Sequence, residues 1–166
     1  MGTTENLQTA FAGESQANRK YLAFARKAEA DGYHQIAKLL RAAAEAETVH
    51  AMNHFRALKG VKSTAENIQA SIEGEGYEFR EMYPKFLAEA EAEGNKQAIA
   101  TFKFALAVET LHHALYTQAL NALNVGGDLP AAPIFICQVC GNTVIGEAPD
   151  ECPICRAKKD RFTEMP

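Results

Sequence analysis

Two short patterns recur in this chain of 166 residues, and both are built from side chains able to hold metals. Glu47-Thr-Val-His50 and Glu109-Thr-Leu-His112 are each Glu-x-x-His, and each follows a lone carboxylate, Glu14 by 33 residues and Glu78 by 31. On a helix, positions i and i+3 lie one turn apart on the same face, so a carboxylate and an imidazole can reach one ion or an adjacent pair. Glu14, Glu47, His50, Glu78 and Glu109 also fall on faces that otherwise read as core. A buried carboxylate must be protonated, paired or bound to a cation. One such Glu alone is better read as a boundary residue or an ion pair; the repetition favours a cation. Two helical hairpins related by an approximate two-fold axis would bring four carboxylates and two imidazoles around two ions. Such mixed ligands suit iron or manganese without excluding zinc. Glu81, three residues after Glu78, is a seventh candidate, and solvation or pairing beside Arg80 is its plain alternative. His112 is preferred to His113 because it repeats the spacing of the first motif. His34 reads as exposed, and His54 lies one turn from His50, outside direct ligation.

The second pattern is Cys137-Gln-Val-Cys140 and Cys152-Pro-Ile-Cys155, two Cys-x-x-Cys knuckles separated by 11 residues. Four thiolates from paired knuckles make a tetrahedral site for iron or zinc. Spacing does not choose between them. Zinc would be a structural staple, whereas iron would carry one electron. The neighbouring carboxylate–histidine pattern favours iron, since a redox-active pair of ions needs an electron supply.

These side chains need helices to present them. Residues 4–124 are rich in Ala, Leu, Glu, Lys and Gln, which favour helix, with apolar stripes at steps of 3 or 4. Asp31-Gly32, Gly60 and Gly94-Asn95 are stop signals, and Ser63 or Thr64 could cap the third helix. Four helices of roughly 25 to 30 residues result, a four-helix bundle. The one-Glu, Glu-x-x-His pattern of ferritin-like di-iron and di-manganese bundles matches this arrangement, so the expected fold is an all-α ferritin-like bundle over residues 1–124. Pro84 removes a helical N–H, predicting a kink or bulge in the third helix. Residues 125–136 read as a Gly- and Pro-punctuated linker. Residues 137–166 are too few for an independent core and need a metal staple, giving a small β/loop domain.

Composition narrows the function. A formal charge of −4 argues against a nucleic-acid surface. No apolar run approaches the ~18 residues of a membrane span. Met1-Gly-Thr-Thr-Glu-Asn has no basic or apolar leader, so the expected location is the cytoplasm, where cysteines serve metals more often than disulfides. No Gly-x-Gly-x-x-Gly follows a strand, so the chain is not expected to bind a nicotinamide itself.

The chain resembles the rubrerythrin family over nearly its whole length. The resemblance rests on Ala10-Phe-Ala-Gly-Glu14-Ser-Gln-Ala17, both Glu-x-x-His motifs, Glu78-x-x-Glu81-Met-Tyr-Pro84, the knuckles, Gly141-Asn-Thr-Val and Ala148-Pro-Asp150. It implies a non-haem peroxidase of oxidative-stress defence that reduces hydrogen peroxide to water. Glu14, Glu47, His50, Glu78, Glu81, Glu109 and His112 would hold two irons, and Cys137, Cys140, Cys152 and Cys155 a third in a rubredoxin-like domain; zinc can substitute. In the family, the residues matching Glu81 and His50 exchange at one iron between oxidation states. Tyr21 resembles a tyrosine hydrogen-bonded near that site, with core packing as the alternative. Electrons would come from NAD(P)H through a separate reductase or a free rubredoxin, and a head-to-tail homodimer, with helix exchange as a variant, is implied. Arg156 departs from the family, which usually has Gly after the last Cys; this bears on the turn and on hydrogen bonds to that sulfur. The competing readings are a ferritin-like ferroxidase and a zinc-stapled interaction module.

Overall fold

The computed structural model describes residues 2–166, and the chain divides into two compact units, one ending at Lys62 and one beginning at Ser63. The first unit is a helical hairpin, α1 (Thr3–Ala30) and α2 (His34–Ala57). Gly32, at φ 85°, makes the left-handed step between them that a side chain would resist. The buried residues of this hairpin are all alanines: Ala25, Ala28, Ala37, Ala44 and Ala51. With so little volume at the seam, the two backbones can approach closely. Asn18 of α1 uses that closeness, donating to Ala44 O (2.7 Å) and Thr48 Oγ1 (2.9 Å) of α2. At the other end, Phe11 stacks on Phe55 with ring centroids 5.0 Å apart.

The second unit opens with α3 (Thr64–Tyr77), whose N-cap is Ser63; Glu66 completes the reciprocal capping box. A π-helical turn (Glu78–Met82) then leads into α4 (Tyr83–Glu93). The bulge expected from Pro84 is therefore present, ending two residues before the proline. Pro84 cannot donate to Arg80 O, and the N–H of Tyr83 reaches back five residues to Glu78 O. Gly94, at φ 70°, ends α4, and Asn95 caps α5 (Lys96–Asn124) through Ala98 N–H. The expected third helix is thus two α-segments around a π-turn.

The chain finishes in a three-stranded antiparallel sheet of order β2-β1-β3, with β1 Ile134–Cys137, β2 Thr143–Ile145 and β3 Phe162–Glu164. Ile136 faces Thr143 on one side and Thr163 on the other. The linker ends earlier than the expected 125–136, because Ile134, Phe135 and Ile136 find strand partners and join β1. The cysteine unit also packs on α5. A Cβ on Gly141 would stand 3.7 Å from Val108 Cγ1, and Thr143 meets His112. Among the described residues, no helix is long and apolar enough to cross a membrane.

Candidate metal centres

The cysteine site is assembled by two knuckles at one end of the sheet, where its central strand finishes. Cys137 ends β1, and its N–H bonds Asn142 O while its carbonyl accepts from Gly141 N–H, closing the first knuckle. In the second, Arg156 N–H returns to Cys152 O. The sulfurs cross-pair, with Cys137–Cys155 and Cys140–Cys152 both at 3.6 Å, and one ligand atom from each of the four lies within 4.8 Å of every other. Disulfides are ruled out at that separation, since S–S bonds are ~2.05 Å. A tetrahedron with metal–sulfur bonds of ~2.3 Å has edges of ~3.8 Å, so the four thiols fit one ion. Cys137 and Cys152 are the largest fully buried side chains among the described residues, so this unit is built around its sulfurs. Burial pushes the Cys152 thiol up, but the N–H groups of Cys155 and Ile154 and the thiols of Cys155 and Cys140 outweigh it and hold it at about 7. Buried Asn142 adds a side-chain N–H at 3.7 Å from the same sulfur. Burial dominates at Cys140, whose thiol is raised despite the Asn142 N–H.

Each helical unit brings together a carboxylate–histidine set. In the first unit Glu14, Glu47 and His50 meet, and in the second Glu75, Glu109 and His112. Within both Glu-x-x-His motifs the imidazole Nδ1 lies 2.8 Å from the motif's own carboxylate. His112 Nδ1 is also 3.8 Å from Glu75 Oε1.

This geometry has close counterparts among known proteins. Residues 5–120 match the rubrerythrin family model, and residues 135–163 match that of the rubrerythrin rubredoxin-like domain. The chain belongs to the rubrerythrin family. Rubrerythrin-2 of Clostridium acetobutylicum is 36% identical, with 96% of this chain and 95% of that protein covered. Nigerythrin of Nitratidesulfovibrio vulgaris is 35% identical over 97% of this chain and 85% of its own length. A solved structure of fully reduced, all-ferrous nigerythrin covers 99% of this chain and 88% of its own, with TM-score 0.58 and 35% identity. Rubrerythrins are di-iron proteins of oxidative-stress defence that also carry a four-cysteine rubredoxin-like site. The fold agrees with that expected, mostly helical with a small antiparallel sheet around four cysteines.

The residues of this rubrerythrin-family chain fit such ions electrostatically as well. Burial, then the charge and hydrogen bond of Glu109, push the Glu75 carboxyl up to about 7. Burial and Glu109 likewise raise Glu78, against the opposing pull of His112. Carboxylates crowded enough to raise one another mark a place where a cation is stabilised. The first set differs, since its hydrogen bonds to His50 and then Glu14 lower Glu47. Tyr83 and Tyr116 face the same negative field as Glu75. Burial and then Glu78, Glu109 and Glu75 raise the Tyr83 phenol, and burial, Glu75 and Glu109 raise that of Tyr116.

The structure redraws one part of the expected ligand set. Glu75, one turn before Glu78 on α3, is the carboxylate grouped with Glu109 and His112. Glu81 stands exposed on the π-turn, outside that group. The wide π-turn carries residues after Glu78 around the axis more slowly than an α-helix would, so Glu81 falls short of the face that the i+3 rule assigns it. The signal was in the spacing. Glu109 follows Glu75 by 34 residues, closer to the 33 between Glu14 and Glu47 than the 31 from Glu78. His112 is the histidine grouped with Glu75 and Glu109, while His113 turns to Arg80 (3.3 Å) and to the Phe79 ring. His34 pairs with Glu29 at the surface. Tyr21 lies beside Phe24 one turn on in α1, ring centroids 6.4 Å apart.

Proposed function

We propose that this chain is a peroxidase reducing hydrogen peroxide to water, with electrons entering through the four-cysteine site. The observation that carries the reading is the combination in one chain of two carboxylate–histidine sets and a four-thiol site seated against α5, the helix that bears one of those sets. A staple alone would not need the carboxylates, and a carboxylate-bound pair of irons alone would not need the thiols.

Glu14, Glu47 and His50 in the first unit, and Glu75, Glu109 and His112 in the second, are the iron ligands, with Glu78 as the seventh donor in place of Glu81. The electrostatic coupling of Glu78 to Glu109 and His112 supports that exchange of roles. Bound iron supplies the electron pair that breaks the O–O bond and the Lewis acidity that makes it a good acceptor. The reduction also consumes two protons and releases two waters. Burial and the surrounding carboxylates keep the phenols of Tyr83 and Tyr116 protonated, so each offers an O–H donor beside the site. His50, more exposed than His112, is the imidazole with room to move.

A separate NAD(P)H-dependent reductase, directly or through a free rubredoxin, recharges the four-cysteine iron, in a cytoplasm reducing enough to keep the thiols free. The working form is a homodimer. Ile36, Leu39, Val49 and Met52 of α2 are exposed, large apolar side chains outside its alanine seam of the kind that protein interfaces cover.

Anaerobic reduction followed by peroxide titration tests the activity, watching the absorbance of both iron sites. The expected result is stoichiometric oxidation of the di-iron centre and, after it, of the four-cysteine iron. Oxidation by oxygen with indifference to peroxide would point to a ferroxidase instead. Full NADH-coupled turnover in Cys137→Ser would overturn the relay.

A further inference from the structure

His50 and His112 occupy equivalent places in their motifs, yet they are held unequally. Each directs Nδ1 to its own glutamate at 2.8 Å. His50 has no partner for Nε2 among the described residues, and its side chain is 53% exposed. His112 is 25% exposed, and its Nε2 lies 2.9 Å from Thr143 Oγ1. Thr143 opens β2 three residues after Cys140, and its hydroxyl is 3.3 Å from Gly141 O. A hollow of about 250 Å³ adjoins this contact, lined by Leu115, Leu129, Ile134 and Ile145 together with Tyr116. Apart from the Tyr116 phenol, those walls offer no side chain that could replace the threonine as a hydrogen-bond partner.

We infer that Thr143 is the positioning residue for His112, its hydroxyl holding the ring so that Nδ1 faces the carboxylates, and that it thereby ties metal affinity at Glu75–Glu109–His112 to the order of the four-cysteine unit. The inference rests on the proposed role of His112 as a ligand. An ion among Glu75 and Glu109 takes the lone pair of Nδ1, the nitrogen that faces them. The imidazole proton then sits on Nε2 and needs an acceptor, which is the usual arrangement around a metal-bound histidine. Thr143 Oγ1 accepts it and gives its own hydrogen to Gly141 O. When no ion is bound and Nδ1–H donates to Glu109, the same hydroxyl turns and donates to Nε2. A hydroxyl can play both parts, so the ring is held in either state. Thr143 is itself held by the knuckle that Cys137 and Cys140 close, so the two metal sites are linked, and linkage is reciprocal.

The test uses the full chain with the four-cysteine site filled by Zn(II), titrated with Mn(II) and followed by electron paramagnetic resonance. Thr143→Val should weaken Mn(II) binding about tenfold or more, the scale on which partners of metal-bound histidines act. Thr143→Ser, which keeps the hydroxyl, should stay within about threefold of the parent. A second readout is the exchangeable Nε2 proton of His112 in the Co(II)-loaded protein, a shifted NMR line expected in the parent and in Thr143→Ser and lost to solvent exchange in Thr143→Val. Retained affinity and a retained line in Thr143→Val would overturn the inference. So would equal losses in Ser and Val, which would make the residue a packing element. His112→Ala with undiminished Mn(II) affinity would instead remove the ligand role itself, and the inference with it.

Discussion

At Glu75 the cost of gathering carboxylates is concentrated in one residue. Its carboxyl is raised from the usual value of 4.5 to about 7, so the folded, metal-free chain holds a proton there that the unfolded chain releases. Stability is full below about pH 4.5 and is lost as the pH rises toward 7. Glu75→Gln removes the like charge, and since the side chain is partly exposed the gain is modest, about 1 kcal/mol or about 2–4 °C in Tm at neutral pH. Thermal melts of metal-free protein between pH 4.5 and 7 should fall for the parent and flatten for Glu75→Gln, while Mn(II) binding weakens in the variant. Arg156 poses a different local cost. It keeps the left-handed backbone a glycine would adopt, at φ 64°, with its N–H on Cys152 O and its guanidinium on Glu151. Arg156→Gly relieves about 1 kcal/mol of strain and gives up an exposed ion pair worth little, so the urea midpoint of the Zn(II)-loaded chain should rise slightly. The candidate ligands that repeat as Glu-x-x-His and Cys-x-x-Cys were legible in the sequence because spacing alone sets them on one face or in one knuckle. Glu75 was harder to see, because choosing among Glu75, Glu78 and Glu81 requires the local helical pitch, which a proline changes.

That pitch is a property of the third helix. Pro84 sits in the first turn of α4, where a missing N–H costs little, and the π-turn before it absorbs the mismatch. Downstream, Tyr83 and Phe86 pack on Phe102 of α5, with centroids at 6.1 and 5.7 Å. Upstream, Glu75 and Glu78 face Glu109 of the same helix. One uninterrupted α-helix could not satisfy both contacts, because closing the π-turn rotates one half against the other. Pro84→Ala restores a donor for Arg80 O and so favours the uninterrupted form. The expected result is metal-free stability within about 1 kcal/mol of the parent together with Mn(II) affinity lowered several-fold. Unchanged affinity would mean that the aromatic packing alone dictates the turn. The bulge was legible because proline lacks an N–H. Its width, five residues ending at Met82, was not, since it depends on what each half packs against.

At the scale of the molecule, composition and packing divide the chain differently. Cysteine and proline crowd the last third, which reads as a helical half followed by a separate tail. The packing boundary instead falls between Lys62 and Ser63, so the tail belongs with α3, α4 and α5. Composition records which residues a segment contains, and it is silent about which helix face will accept a sheet. That acceptance comes from Val108 meeting Gly141, from His112 meeting Thr143, and from Leu111 and Leu115 sharing a cleft with Val144 and Ile145. The sheet has strands of only three or four residues and depends on its four-thiol ion, as structural metal sites generally supply folding energy. Stripping that ion should therefore act beyond the cysteines. Hydrogen exchange after chelation should rise across residues 134–164 and then along α5 around residues 108–119, where the sheet was seated, while α1 and α2 keep the protection of their alanine seam. If protection were lost only beyond residue 133, the tail would be an independent domain after all, and the hold of Thr143 on His112 would have no consequence for the helix that carries the ligand.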